Sequence, residues 1–166
     1  MSTDEHGPLL SRVCTLLYLY PACWESVVRL WKNGFGEVGQ GCLKLAMSHR
    51  DFPGWVVKLF KRQNLWKEDC STRGLIVQEL IPFWLPNAVV SERFVIQPRA
   101  DGVGGTPDEA LAAIRAQLAP FKNSCPFDTH PKNTAFHQGR PVLLDYALNW
   151  RQLPSPSGVS LNMTIL

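Results

Sequence analysis

The sequence predicts an α+β protein whose small antiparallel sheet lies in its first half. Three observations lead there. Apolar residues recur at helical spacing over residues 8–32. Short apolar runs bounded by glycine, proline and asparagine follow over 35–60 and 89–97. Further on, Thr106-Pro-Asp-Glu109 has the chemistry of a helix start.

In the first helix, Pro8 suits the opening turn. Leu9, Leu10, Val13, Leu16, Leu17 and Tyr20 line one side until Pro21 ends it. A second helix runs from about Ala22 to Lys32, with Trp24, Val27, Val28 and Trp31 on a face expected to enter the core; Asn33-Gly34 stops it. The next block reads as a strand near Phe35–Val38, a turn at Gly39-Gln40-Gly41, a strand over Cys42–Met47, a turn at Arg50–Gly54 and a strand over Trp55–Phe60. Residues 65–81 read as a short helix with Leu75, Ile76 and Leu80 on its apolar side. Two short strands follow, around Val89–Val90 and Phe94–Gln97, then a connector over 100–105 whose glycines predict flexibility. In the next helix Thr106 caps, Pro107 takes the first turn, and Asp108 and Glu109 meet the positive end of the dipole; it runs to about Leu118. Two more short strands, Thr134–Phe136 and Val142–Leu144, precede a tail rich in proline and serine.

Composition narrows the function classes. Hydrophobic residues make up 45% and charged residues 19%, which suits a globular chain and excludes a disordered one. A net charge of +3 without a Lys/Arg block gives no footprint for nucleic acid. The five cysteines are odd in number and lack Cys-x-x-Cys spacing, so reduced, mostly buried thiols in a cytoplasm are expected rather than disulfides or zinc. The apolar run Val13–Tyr20 is too short to span a bilayer, so no membrane partner is expected.

The chemistry-bearing residues fall in a definite order. Gly39 and Gly41 flank Gln40 at a predicted hairpin turn, where bare backbone can approach a phosphate; such pairs also serve as plain turns. Lys58 lies inside the apolar strand Trp55-Val-Val-Lys-Leu-Phe60. It must find an anion, or else lie on an edge strand with its ammonium in solvent. Glu79, with Glu68 as competitor, lies on the following predicted helix and is placed to orient that lysine. In Cys125-Pro-Phe-Asp-Thr-His-Pro-Lys-Asn133, Asp128 suits a group that accepts a hydroxyl proton, and His130 a hydrogen-bonding group near a phosphate. Asn133 and Asp145 supply hard oxygen ligands of the kind Mg²⁺ prefers. Each of these also has a bland reading as a turn, cap or surface residue.

Taken together, these segments resemble the protein kinases. Asp128-Thr-His-Pro-Lys-Asn133 resembles the catalytic-loop pattern Asp-x-Lys-Pro-x-Asn, with His130 in the usual lysine position. Val142-Leu-Leu-Asp-Tyr-Ala147 resembles the Asp-Phe-Gly segment, and the strand carrying Lys58 resembles the one that holds the phosphate lysine. Within that class the chain is most similar to the early-region serine/threonine kinases of short-tailed bacteriophages, which share a Gly-x-Gly turn, a Ser-His pair like Ser48-His49, a Val-x-Lys strand and Phe-Asp-x-His-x-x-Asn, as in Phe127–Asn133.

The resemblance implies a minimal protein kinase-like fold with a small antiparallel-sheet N-lobe and a truncated helical C-lobe. Residues 1–33 would be a helical extension, 34–99 the N-lobe and 100–166 the C-lobe with catalytic loop and tail. It further implies ATP and Mg²⁺ as cofactors. Asp128 would be the base, Lys58 the α/β-phosphate ligand, Asn133 and Asp145 the metal ligands and Gly39–Gly41 the phosphate cover. Residues Gln97 to Arg99 would line the adenine side. Pro126-Phe127 stands where the family has His-Arg, and Ala147 where it has glycine. Only a short stretch follows Asp145, so no ordinary activation segment is expected. The expected partner is a host protein in the host cytoplasm, or the chain's own Ser155 and Ser157. Two alternatives remain at this point: a catalytically weak kinase-like protein that binds and inhibits a host protein, and a small-molecule phosphotransferase.

Overall fold

The computed structural model describes residues 6–17, 23–41, 44–61, 83, 85–118 and 130–145. The predicted helix over 65–81, and with it Glu68 and Glu79, lies outside them, as do Asp128, Ser155 and Ser157. Among the described residues no helix is long and apolar enough to cross a membrane.

The chain is a mixed α+β protein. Helix α1 spans Gly7–Leu17 and buries Leu9, Val13 and Leu17, the i, i+4, i+8 stripe read from the sequence. Helix α2 spans Cys23–Lys32 and buries Ser26, Val27 and Leu30. Trp24 and Trp31 do not enter the core as expected. They remain 66% and 42% exposed and meet each other edge to face at 5.7 Å. At 100° per residue they lie roughly a quarter-turn round the helix from Leu30, on the shoulder of the apolar stripe. Cys14, expected to be buried, is also exposed.

Five strands form one antiparallel sheet in the order β1-β2-β3-β5-β4: β1 (Phe35–Gln40), β2 (Lys44–His49), β3 (Trp55–Phe60), β4 (Val89–Val90) and β5 (Phe94–Pro98). A bulge between Glu37 and Gly39 inserts one residue into β1. As a result β1 reaches Gln40, with Gly39 opposite Ala46 and Gln40 opposite Leu45. The predicted turn at 39–41 therefore does not begin at Gly39; Gly41 N–H donates to Lys44 O at 2.9 Å.

Alternation sorts the side chains onto two faces. Leu45, Met47, Val57, Leu59, Phe94 and Ile96 point to α1 and α2 and join Leu9, Val13, Leu17, Val27 and Leu30 in one core. His49 also lies on this side. Its Nδ1 lies 3.1 Å from Asp51 N, and its Nε2 faces Asn33 O at 3.1 Å. The Ser48-His49 pair singled out by resemblance thus carries a structural histidine.

The second half is smaller. Helix α3 spans Pro107–Leu118, as the sequence predicted. Its start is a full capping box: Glu109 Oε2 accepts from Thr106 N–H at 2.7 Å, and Thr106 Oγ1 accepts from Glu109 N–H at 3.3 Å. A 3₁₀ turn, Pro131–Asn133, leads into a hairpin of β6 (Thr134–His137) and β7 (Arg140–Leu143). Gln138 and Gly139 both have positive φ, 52° and 74°, the geometry of a two-residue hairpin turn. Ile114 of α3, Val142 and Leu143 of β7, and Phe83 and Leu85 form a second core.

The connector over 100–105 is not the flexible link that its glycines suggested. Gly102 N–H donates to Phe136 O at 3.0 Å, and Gly139 N–H donates to Val103 O at 2.9 Å. Asp101 accepts from Val103 N–H at 2.9 Å and from Gln138 N–H at 3.1 Å. A Cβ at Gly104 would stand 2.7 Å from the Phe136 ring, at a φ of 126°, so only glycine fits there. Gly104 and Gly105 pack closely against Phe136 of the hairpin.

Candidate functional site

Lys58 decides where the site lies. β3 is the middle strand of the sheet, so the edge-strand alternative is excluded. Lys58 is 8% exposed and opposes Ala46 on β2 and Val95 on β5. It therefore points to the face opposite α1 and α2. A buried ammonium needs oxygen partners. One comes from 86 residues away, where Nζ donates to the Leu144 carbonyl at 2.5 Å.

The backbone of Leu144 ties the site together. Its N–H donates to Asn133 O at 2.8 Å while its carbonyl takes the Lys58 ammonium. Asp145 is the next residue. Lys58, Asn133 and Asp145, three positions named from the sequence, are thus brought together at the backbone of Leu144, Asn133 through its own carbonyl. The 3₁₀ turn positions Asn133. Its N–H donates to His130 O at 2.8 Å, and the turn is pinned by Thr134 Oγ1, which donates to Pro107 O at 2.9 Å. Leu143 is held by two further backbone bonds: its N–H donates to Phe83 O at 2.7 Å, and its carbonyl accepts from Leu85 N–H at 3.2 Å.

Asp145 also meets the hairpin. Its Oδ1 accepts from Lys44 Nζ at 2.8 Å. A Cβ on Gly41 would stand 3.9 Å from Oδ2, so the backbone at the end of β1 lies against this carboxylate. Gly39 and Gln40 instead lie within β1, and neither Gly39 nor Gly41 adopts positive φ. What these glycines offer is a bare backbone surface rather than a special backbone conformation.

Lys44 was not singled out in the sequence. The signal was present in register: Ala46 opposes Lys58, so Lys44, two residues before Ala46, shares its face. The Lys44 side chain is 4% exposed, whereas Asp145 keeps 33%. Gln97, placed at the adenine side by resemblance, is 2% exposed and lies on the same face, with Nε2 donating to Leu85 O at 2.6 Å.

His130 is exposed. Its Nδ1 accepts from Lys132 N–H at 3.1 Å, so the ring caps the 3₁₀ turn, and no described contact links it to Lys58 or Asp145. Asp128 and Glu79, the other two groups expected here, lie outside the described residues.

Among the described residues no group of three or more His, Cys, Asp or Glu gathers as a metal cage. The donor set is instead one carboxylate, Asp145, while Asn133 joins it through the backbone, its carbonyl accepting from the N–H of the neighbouring Leu144. That set fits Mg²⁺, which takes one or two protein oxygens and fills the rest of its shell with water and phosphate. The Lys44 ammonium on Oδ1 shows that this carboxylate already seats a cation.

Two carboxylates elsewhere are shifted. The Val103 N–H holds Asp101 below its ordinary value of 3.8; slight desolvation opposes it, and the Gln138 N–H and His137 add to the lowering. Glu109 is lowered by the Thr106 N–H and then its hydroxyl. Both belong to the scaffold that positions the hairpin.

Comparison with models of protein families, with curated proteins and with solved structures finds no match to this chain.

Proposed function

We propose that the chain is a minimal ATP- and Mg²⁺-dependent serine/threonine protein kinase that phosphorylates a host protein or itself. The observation that carries this reading is the Leu144 backbone, its N–H on the Asn133 carbonyl and its C=O on Lys58, with Asp145 beside it and Gly41 against that carboxylate. Phosphoryl transfer asks for positioning and charge neutralisation more than covalent chemistry. A lysine on the third strand, after a glycine-bearing hairpin, is the arrangement kinases use for the phosphates. Lys58 would bind α/β-phosphate oxygens, Asn133 and Asp145 would hold Mg²⁺, and the backbone near Gly41 would close over the triphosphate. Bound Mg²⁺ would neutralise charge between the β- and γ-phosphates. Asp128, five residues before Asn133, would orient the attacking hydroxyl.

The test is incubation of purified protein with labelled ATP and Mg²⁺, with and without a generic basic substrate. Wild type is expected to label itself or that substrate. Asp128→Ala should lower the rate by about 10²–10⁴ while circular dichroism stays unchanged. Equal, zero labelling by both proteins would end the enzymatic reading.

The exposed Trp24–Trp31 pair favours one second reading, a kinase-like protein that binds and inhibits a host protein. Wild type and Asp128→Ala would then capture the same host protein equally well.

A further inference from the structure

We propose that Lys44 is an exchangeable cation of the nucleotide site: it holds Asp145 while the site lacks metal, and turns to phosphate oxygens when a metal-bound triphosphate enters. This inference rests on the kinase reading above.

Four observations support it. Lys44 and Lys58 point to the same face of neighbouring strands, set by the Ala46–Lys58 pairing. Lys44 Nζ lies 2.8 Å from Asp145 Oδ1, one of the oxygens assigned to Mg²⁺. The two partners differ in exposure: the lysine is 4% exposed and the aspartate 33%, so the carboxylate has an open side for a second ligand. Finally, Lys44 Nζ stands 5.9 Å from the centre of the Phe60 ring, within cation–π range. That ring gives the ammonium a favourable neighbour besides Asp145.

An ammonium and a divalent metal compete for one carboxylate oxygen, while an ammonium and a triphosphate attract. Removing the Lys44 charge should therefore shift the two affinities in opposite directions. A lysine that merely stabilises the fold would shift both the same way or neither.

The experiment measures two ligands separately on the full chain: Mn²⁺ alone, by the paramagnetic resonance of the free ion, and ATP in excess chelator, by calorimetry. Lys44→Met is expected to bind Mn²⁺ about tenfold tighter and metal-free ATP about tenfold weaker than wild type. Lys44→Arg, which keeps the charge and grips a carboxylate with two bonds, is expected to weaken Mn²⁺ while retaining ATP. If Lys44→Met is unfolded by circular dichroism, the arginine variant decides, and unchanged Mn²⁺ binding there overturns the proposal. Wild type that binds ATP while Lys44→Met moves both ligands together, or neither, overturns the exchange and leaves the kinase reading standing. Wild type that binds neither ATP nor Mn²⁺ overturns both.

Discussion

One face of the sheet presents Met47, Val57, Leu59 and Ile96 to two helices; the other presents Lys44, Lys58 and Gln97 to residues 85, 144 and 145. Both faces come from the same alternating strands, and both are buried. The apolar face draws its partners mostly from the preceding helices and spreads its stabilisation over many weak contacts. The polar face rests on a few directed bonds, two of which reach 86 and 101 residues along the chain. Losing one such bond to a buried charge costs about 1–3 kcal/mol. The contrast separates a face held by many weak contacts from a face held by a few directed ones.

Four perturbations sharpen that contrast, in falling order of effect. Lys58→Met, which keeps the stem and removes the charge, should cut ATP-dependent labelling by about 10²–10³. A labelling rate equal to wild type would show that the polar face does no chemistry. Leu59→Ala, one residue further along the same strand, should cost about 2–5 kcal/mol in urea denaturation. Labelling per folded molecule should stay the same, and a selective loss of labelling would blur the two faces.

Asp101→Asn tests the clamp on the hairpin turn. The folded carboxyl titrates below 3.8, so its contribution to stability is present above that pH and lost as pH falls through the folded value. The asparagine variant should show a flatter acid limb below pH 3.8 in thermal melts, and a limb as steep as wild type would discount the clamp. The smallest effect is expected from Trp24→Ala with Trp31→Ala. These exposed rings should contribute less than about 1 kcal/mol to folding, and a larger loss would mean that the pair belongs to the apolar face.

The sequence revealed elements whose signals are local. The start of α3 was legible because Thr106 and Glu109 satisfy each other within one turn. The β6 and β7 strands are legible from short apolar runs, and the Gln138-Gly139 turn joins them at positive φ. The β1–β2 connection was misplaced because the bulge at Val38 adds a residue that alternation cannot show. On α2 the large tryptophans drew the predicted core face toward themselves, whereas the sheet selects Val27 and Leu30. Within the site, Lys58 and Asp145 stood out as charges set in apolar surroundings. Lys44 did not, because its role appears only once β2 and β3 are in register and residue 145 has returned to the sheet.

Leu144 joins Lys58 to Asn133 through its backbone N–H and C=O rather than through its side chain. A scan that exchanges side chains one by one would record residue 144 as an ordinary packing position and overlook the junction. Proline is the informative replacement, since it deletes the N–H that reaches Asn133 and keeps the carbonyl that receives the lysine. Communication between the sheet and the hairpin could then be cut at one end at a time, without altering a single charged group.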